Sequence, residues 1–121
     1  MRRTLFAAAT LAVVALSTSA TALGQTHATA LKGTVGPGFT IKLTKAGASF
    51  KALPAGTYRI TVSDRAAIHN FVLEKEHGAE RTITSVGFTG TKTVTMKLTK
   101  GTWKFYCEPH KSAMFGTFTV K

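Results

Sequence analysis

The sequence predicts an all-β fold, a Greek-key β-sandwich of roughly seven to eight short strands. Three observations carry this expectation. From Leu31 onward apolar residues recur at every second position, and no stretch follows the helical period. Gly, Pro, Ser and Asp interrupt the alternation at strand-length intervals. The positions between the apolar residues are mainly Thr and Lys, which suits strands with one face on a core and the other in water.

Leu31-Lys32-Gly33-Thr34-Val35 reads as a weak first strand, and Gly36-Pro37-Gly38 as a turn. Phe39 to Leu43 then alternates cleanly, and Lys45 to Ser49 is a loop. Leu53-Pro54-Ala55-Gly56 turns into Tyr58 to Val62, again with period two. Ser63 to Ala67 is a connection that leads into a short strand from His69 to Leu73. Glu74 to Glu80 is polar, contains Gly78, and reads as a loop before a short strand from Thr82 to Val86. Gly87 to Thr91 turns into Val94 to Leu98, and Lys100-Gly101 is a hairpin turn. Trp103 to Cys107 and Thr117 to Val120 close the series.

The length, 121 residues, sets one domain as the expectation. The first residues, Met1-Arg2-Arg3-Thr4, precede an apolar run from Leu5 to Leu16 and small residues from Ser17 to Ala22. That is the build of a secretory signal, and the run is shorter than the ~20 residues of a membrane span. The segment 1–24 is assigned to the signal, with cleavage anywhere in 22–30, and 31–121 to the exported domain. The Ala/Thr-rich run from Gln25 to Ala30 is expected to be a frayed or cleaved terminus. Export would place the domain in the periplasm or outside the cell. Cys107 is the single cysteine, so there is no internal disulfide. An unpaired cysteine in an oxidising compartment calls for a reason, and coordination to a metal is one; a reactive thiol or an intermolecular bridge are the others.

The formal net charge is +11. Without Arg2 and Arg3, 14 basic residues face 5 acidic ones, a balance of +9. The lysines are scattered, as on a solvated surface, and their sign favours acidic protein partners or at most peripheral contact with an anionic membrane. Arginine-rich or aromatic-interleaved basic patches are lacking, which argues against nucleic acid.

Chemistry concentrates in Tyr106 to Met114, where Cys107, His110 and Met114 offer a thiolate, an imidazole and a thioether. This soft to borderline donor set suits copper better than magnesium or calcium, and a second imidazole would complete a trigonal His₂Cys site with a weak axial methionine. Strand parity supplies that imidazole. Side chains two apart share a face. Cys107 therefore follows the inward Trp103 and Phe105, His69 precedes the inward Phe71 and Leu73, and Met114 continues the parity of Phe118 and Val120 backward. Met96 lies mid-strand among core residues, His77 in a polar loop, and His27 near the terminus, so none competes.

These residues resemble the cupredoxins, the small blue copper proteins, and among them the plastocyanin-like bacterial members. The resemblance covers Leu31 to Lys121 and is carried by Leu53-Pro54-Ala55-Gly56-Thr57-Tyr58, His69-Asn70-Phe71, Lys100 to Cys107, and Gly116 to Val120, with the spacing Cys-x₂-His-x₃-Met. It implies a cupredoxin-like sandwich holding one type 1 copper. His69, Cys107 and His110 would be the equatorial ligands and Met114 the long axial one. Three residues separate His110 from Met114, against the four common in plastocyanins and two in amicyanin-like proteins. The resemblance also assigns the Asn70 amide as a donor to the Cys107 sulfur. Pro109 has no N–H and cannot supply the second donor found in some relatives. Glu108 stands where relatives place the hydroxyl that ties down the Asn side chain. Around His110, Pro37, Phe39, Pro109, Ala113 and Phe115 would frame an apolar docking patch, with Lys111 beside it for acidic redox partners such as a cytochrome or an oxidoreductase.

The function implied is a monomeric one-electron carrier cycling Cu(II)/Cu(I). Copper storage, resistance or delivery would use the same ligands. An enzyme is not expected: a Cys107–His110 nucleophile pair has no orienting carboxylate except Glu108.

Overall fold

The computed structural model describes residues 27–121. The assigned signal and the cleavage positions before residue 27 lie outside the described residues. Among the described residues there are nine strands: β1 Thr29–Val35, β2 Ile41–Thr44, β3 Ala52–Leu53, β4 Gly56–Asp64, β5 Phe71–Lys75, β6 Glu80–Thr84, β7 Gly90–Leu98, β8 Gly101–Tyr106 and β9 Phe115–Val120. They form a four-stranded sheet in the order β2-β1-β4-β7 and a five-stranded sheet in the order β3-β9-β8-β5-β6. Both sheets are mixed, since β1 runs parallel to β4 and β3 parallel to β9 while the other pairs are antiparallel.

The alternating pattern places the core as expected. Leu31, Val35, Leu43, Tyr58, Ile60 and Val62 of the first sheet face Phe71, Leu73, Trp103, Phe118 and Val120 of the second. Two polar-tipped core side chains satisfy their polar ends locally: Tyr58 Oη donates to Pro54 O at 2.6 Å, and Trp103 Nε1 donates to Thr99 O at 2.8 Å. Two glycines make room for an aromatic pair. A Cβ on Gly33 would meet Val62 and the Phe71 ring, and one on Gly116 would meet the Phe105 ring. The rings of Phe71 and Phe105 lie parallel, 6.0 Å apart and 4° from coplanar orientation.

Several boundaries differ from the sequence expectation. The strand count is nine because Ala52–Leu53, expected as the entry to a turn, pairs with Thr119 and Val120 of β9. Two residues carry no alternation to read. Thr29 and Ala30, expected to fray, pair with Tyr58 and Arg59 as the start of β1. β7 reaches back to Gly90, because Thr91 to Thr93 remain hydrogen-bonded to β4 although they are exposed on both faces. β5 starts at Phe71 and β8 stops at Tyr106, so His69 and Cys107 sit just outside the strands that aim them.

One end of the sandwich collects the ends of β1, β4 and β8 and the starts of β2, β5, β7 and β9. β1 begins and β9 finishes at the opposite end.

Candidate metal centre

One connection between the sheets and two hairpin loops build the site at that first end. The β8–β9 loop is pinned at its base, where Cys107 N donates to Met114 O at 3.0 Å and extends the ladder one pair beyond Tyr106↔Phe115. Within the loop, Glu108–His110 form a 3-10 turn with Pro109 in its first turn, where the missing N–H costs nothing. His110 N donates to Cys107 O at 3.1 Å, and Met114 N donates to His110 O at 2.9 Å. The second bond spans four residues, so the three-residue gap between His110 and Met114 is one helical turn, which carries both side chains to one face. Met114 is buried at the base of the loop.

His69 arrives on the β4–β5 connection. Asp64, at the end of β4, accepts the Ala66 N–H through Oδ1 at 3.2 Å, and His69 N donates to Ala66 O at 3.0 Å. The resulting turn drops His69 and Asn70 into the interior, both essentially fully buried. The β1–β2 loop covers them. Gly36 and Gly38 adopt positive φ, +72° and +66°, and Gly36 N donates to Thr40 O at 2.8 Å. The doubled-back loop turns Gly38 O toward His69 Nε2 at 2.8 Å. Because a carbonyl only accepts, Nε2 carries the proton and Nδ1 presents its lone pair.

Three donor atoms converge. His69 Nδ1 and His110 Nδ1 are 3.1 Å apart, and each lies 3.6 Å from Cys107 Sγ. A point equidistant from all three atoms lies about 2.0 Å from each, the length of a metal–imidazole bond and a little under that of a metal–thiolate bond. The triangle is therefore sized for one transition-metal ion, and its two nitrogens and one sulfur suit copper. Cys107 and His69 are buried, whereas His110 is half-buried with its Nε2 edge on the far side of the ring from the triangle.

The surroundings fix this arrangement. Glu108 N donates to Asn70 Oδ1 at 2.7 Å, and Asn70 Nδ2 donates to Glu108 Oε2 at 3.4 Å. The residue standing where relatives have a hydroxyl thus makes the tie twice, once through backbone and once through its carboxylate. Phe39 meets both imidazoles edge-on, at 5.4 Å from the His69 ring and 5.0 Å from the His110 ring, while remaining 63% exposed. Pro37, Pro109, Lys111 and Ala113 are also exposed at this end. Phe115 is exposed on the outer face of the five-stranded sheet, paired with Tyr106 and lying under the Lys104 ammonium at 5.0 Å. Tyr106 is buried there between Lys104 and Lys111, and burial, then the neighbouring Glu74 carboxylate, push its pKa well above the usual value.

The structure brings His69, Cys107 and His110 together as the sequence suggests. The expected Asn70 N–H bond to the Cys107 sulfur is not made among the described residues; Asn70 ties to Glu108 instead. Sequence reasoning missed the Gly38 carbonyl, which orients His69. The paired glycines flanking Pro37 were the available signal, since such a turn brings backbone close to whatever it covers. It also missed Ile68, 61% exposed, whose parity opposite to the inward His69 marks it as an outward apolar residue.

A two-sheet sandwich gathering a His₂Cys triangle at one end defines a blue copper protein. The chain belongs to the plastocyanin/azurin family of copper binding proteins, whose pattern its residues 40–121 match. It is a cupredoxin, and copper is its cofactor. Among solved structures, rusticyanin from Thiobacillus ferrooxidans is 20% identical with a TM-score of 0.57, each chain covered to 76%. A rusticyanin variant is 22% identical with the same TM-score and coverage. Auracyanin A, a "blue" copper protein from Chloroflexus aurantiacus, is 18% identical with a TM-score of 0.55, covering 78% of this chain and all of that one. These likenesses are of fold. A search of curated protein sequences finds no match.

Proposed function

We propose that the protein is an exported one-electron carrier that docks briefly on acidic redox proteins through the surface around His110. The observation that carries this reading is the asymmetry of the triangle. Two of its donors are buried and rigidly held, and the third, His110, reaches the surface. Bound copper supplies a Cu(II)/Cu(I) couple, and a trigonal site between the preferences of the two oxidation states needs little rearrangement when one electron moves. The chain's own residues do the rest. Gly38 O holds His69 in the tautomer that ligates, and the Asn70–Glu108 tie holds the Cys107 loop against the β4–β5 connection. Met114, buried at the loop base one turn from His110, would offer its thioether to the copper. The His110 edge is the port, and Phe39, Pro37, Pro109 and Ala113 exclude water around a docked partner. Lys111 beside that port and the charge of +9 left without Arg2 and Arg3 favour partners of opposite sign.

The experiment is direct. The protein loaded with Cu(II) is expected to show an intense blue absorption that bleaches when a reduced acidic redox protein is mixed with it, at a rate that falls as salt is raised. Cys107→Ser is expected to lose the absorption. A colourless Cu(II) protein, or one that releases its copper to an apo-acceptor faster than it passes electrons, would overturn the carrier reading in favour of copper delivery.

A further inference from the structure

The registers of the four-stranded sheet define its outer face strand by strand. β2 contributes Lys42 and Thr44, β1 Ala30, Lys32 and Thr34, β4 Thr57, Arg59, Thr61 and Ser63, and β7 Thr91, Thr93, Thr95 and Lys97. The alternate residues of β1, β2 and β4 are the buried or part-buried ones, which fixes the direction. Among the described residues, this face carries Lys32, Lys42, Arg59 and Lys97 and no carboxylate at all. All four cations are exposed.

The other faces differ. The outer face of the five-stranded sheet carries Lys104 with Glu74 and Glu80. Glu76 lies in the β5–β6 connection and Glu108 in the metal loop, while Asp64 is buried. Every exposed acidic group of the chain therefore sits away from the four-stranded face, which is +4, while on the opposite face Lys104 and Lys111 are offset by Glu74 and Glu80.

We propose that this face is a docking surface for an anionic phospholipid bilayer. The cations are spread over four adjacent strands, in two dimensions, with only Thr, Ser and Ala between them. It has no aromatic or large apolar side chain, and such anchors carry the binding energy of protein–protein interfaces. A plane of phosphate headgroups needs none of these: each Lys or Arg near the surface contributes separately, and hydroxyls hydrogen-bond phosphate oxygens between them. Without an apolar wedge the contact is electrostatic, reversible and sensitive to salt. The strands run from the metal end to the far end, so a protein lying on this face keeps its His110 end at the side, open to partners held in the same membrane.

The test is sedimentation of the copper-loaded protein with vesicles of phosphatidylcholine alone or with about one third phosphatidylglycerol. Binding is expected to the anionic vesicles only, and to disappear at about 1 M salt, where the Debye length is about 3 Å. Each of Lys32→Gln, Lys42→Gln, Arg59→Gln and Lys97→Gln is expected to weaken binding about fivefold. Lys51→Gln and Lys104→Gln, which remove charge outside this face, are expected to change it by less than about twofold. Blue absorption retained in every variant shows that the fold is intact. Equal weakening by face and control variants would mean that net charge alone attracts the protein, and overturns the proposal, as does equal binding to both vesicle types. Stronger binding to an acidic polypeptide such as polyglutamate, lost with the same four substitutions, would assign the face to an acidic protein instead.

Discussion

Asn70 makes the contact on which the copper loop depends most. Its side chain is buried and accepts the Glu108 N–H at 2.7 Å, so Asn70→Ala leaves a backbone donor of the loop without its partner. The expected cost is about 1–3 kcal/mol, read as a lower melting temperature of the copper-free protein. The blue spectrum of the loaded variant should also shift or weaken, because the Cys107–His110 turn is no longer fixed. Asn70→Asp restores an acceptor for that N–H but sets a second carboxylate against Glu108, and should recover only part of the stability. A second residue-scale expectation concerns alkaline pH. Burial raises the pKa of Tyr58, and burial with Glu74 raises that of Tyr106. In the unfolded chain both phenols ionise near the usual value of about 10, before they do in the folded protein. The unfolded state then binds fewer protons, so stability is intact below about pH 10 and falls as pH rises above it. Denaturant titrations across that range should show a shallower decline in Tyr106→Phe than in the parent protein.

At the scale of elements, the site rests on glycines as much as on ligands. Gly116 lies on β9 two residues after Met114, opposite Phe105 of β8, and its missing side chain is where the Phe105 ring packs. Gly116→Ala forces that ring toward Phe71 in a core with no slack, at a cost of about 1–3 kcal/mol in denaturant unfolding. Because β9 begins one residue after Met114, the same substitution is expected to perturb the blue spectrum, which a purely remote packing defect would leave alone. This is also the scale at which the sequence was most and least legible. Period-two alternation exposed the inward parity of Cys107, His69 and Met114, since a strand's geometry is nearly independent of its neighbours. Most of the nine described strands were readable in this way, but β6, expected from Thr82 to Val86 without a clean alternation, runs Glu80–Thr84. β3 was not readable, because a two-residue strand shows no period, and its pairing is dictated by β9, sixty-seven residues on. Nor were Thr91 to Thr93, whose strand state comes from hydrogen bonds to β4 rather than from burial. The Gly38 contact had only an indirect signal, the glycines flanking Pro37, because it is made by a backbone carbonyl, which every residue has.

For the molecule as a whole, the ligands come from two separate regions of the chain. His69 belongs to the β4–β5 connection, and Cys107 and His110 to the β8–β9 loop. An ion bound by all three joins those segments in the folded state only, so its binding free energy adds to stability. At free copper about a thousandfold above the dissociation constant the gain is about 4 kcal/mol. Calorimetry should show a copper-loaded protein melting well above the copper-free one, with the difference abolished in Cys107→Ser.

Both ends of the described fold, the start of β1 and the finish of β9, lie opposite the copper triangle. Whatever is joined to the chain beyond Lys121 therefore hangs from the insulating pole of the sandwich, away from the conducting one. Fixed to an electrode through that terminus, the protein would stand with His110 facing the solution, wired for mediators arriving from outside. Fixed through Lys111, it would lie with its port against the metal surface and exchange electrons with the electrode itself.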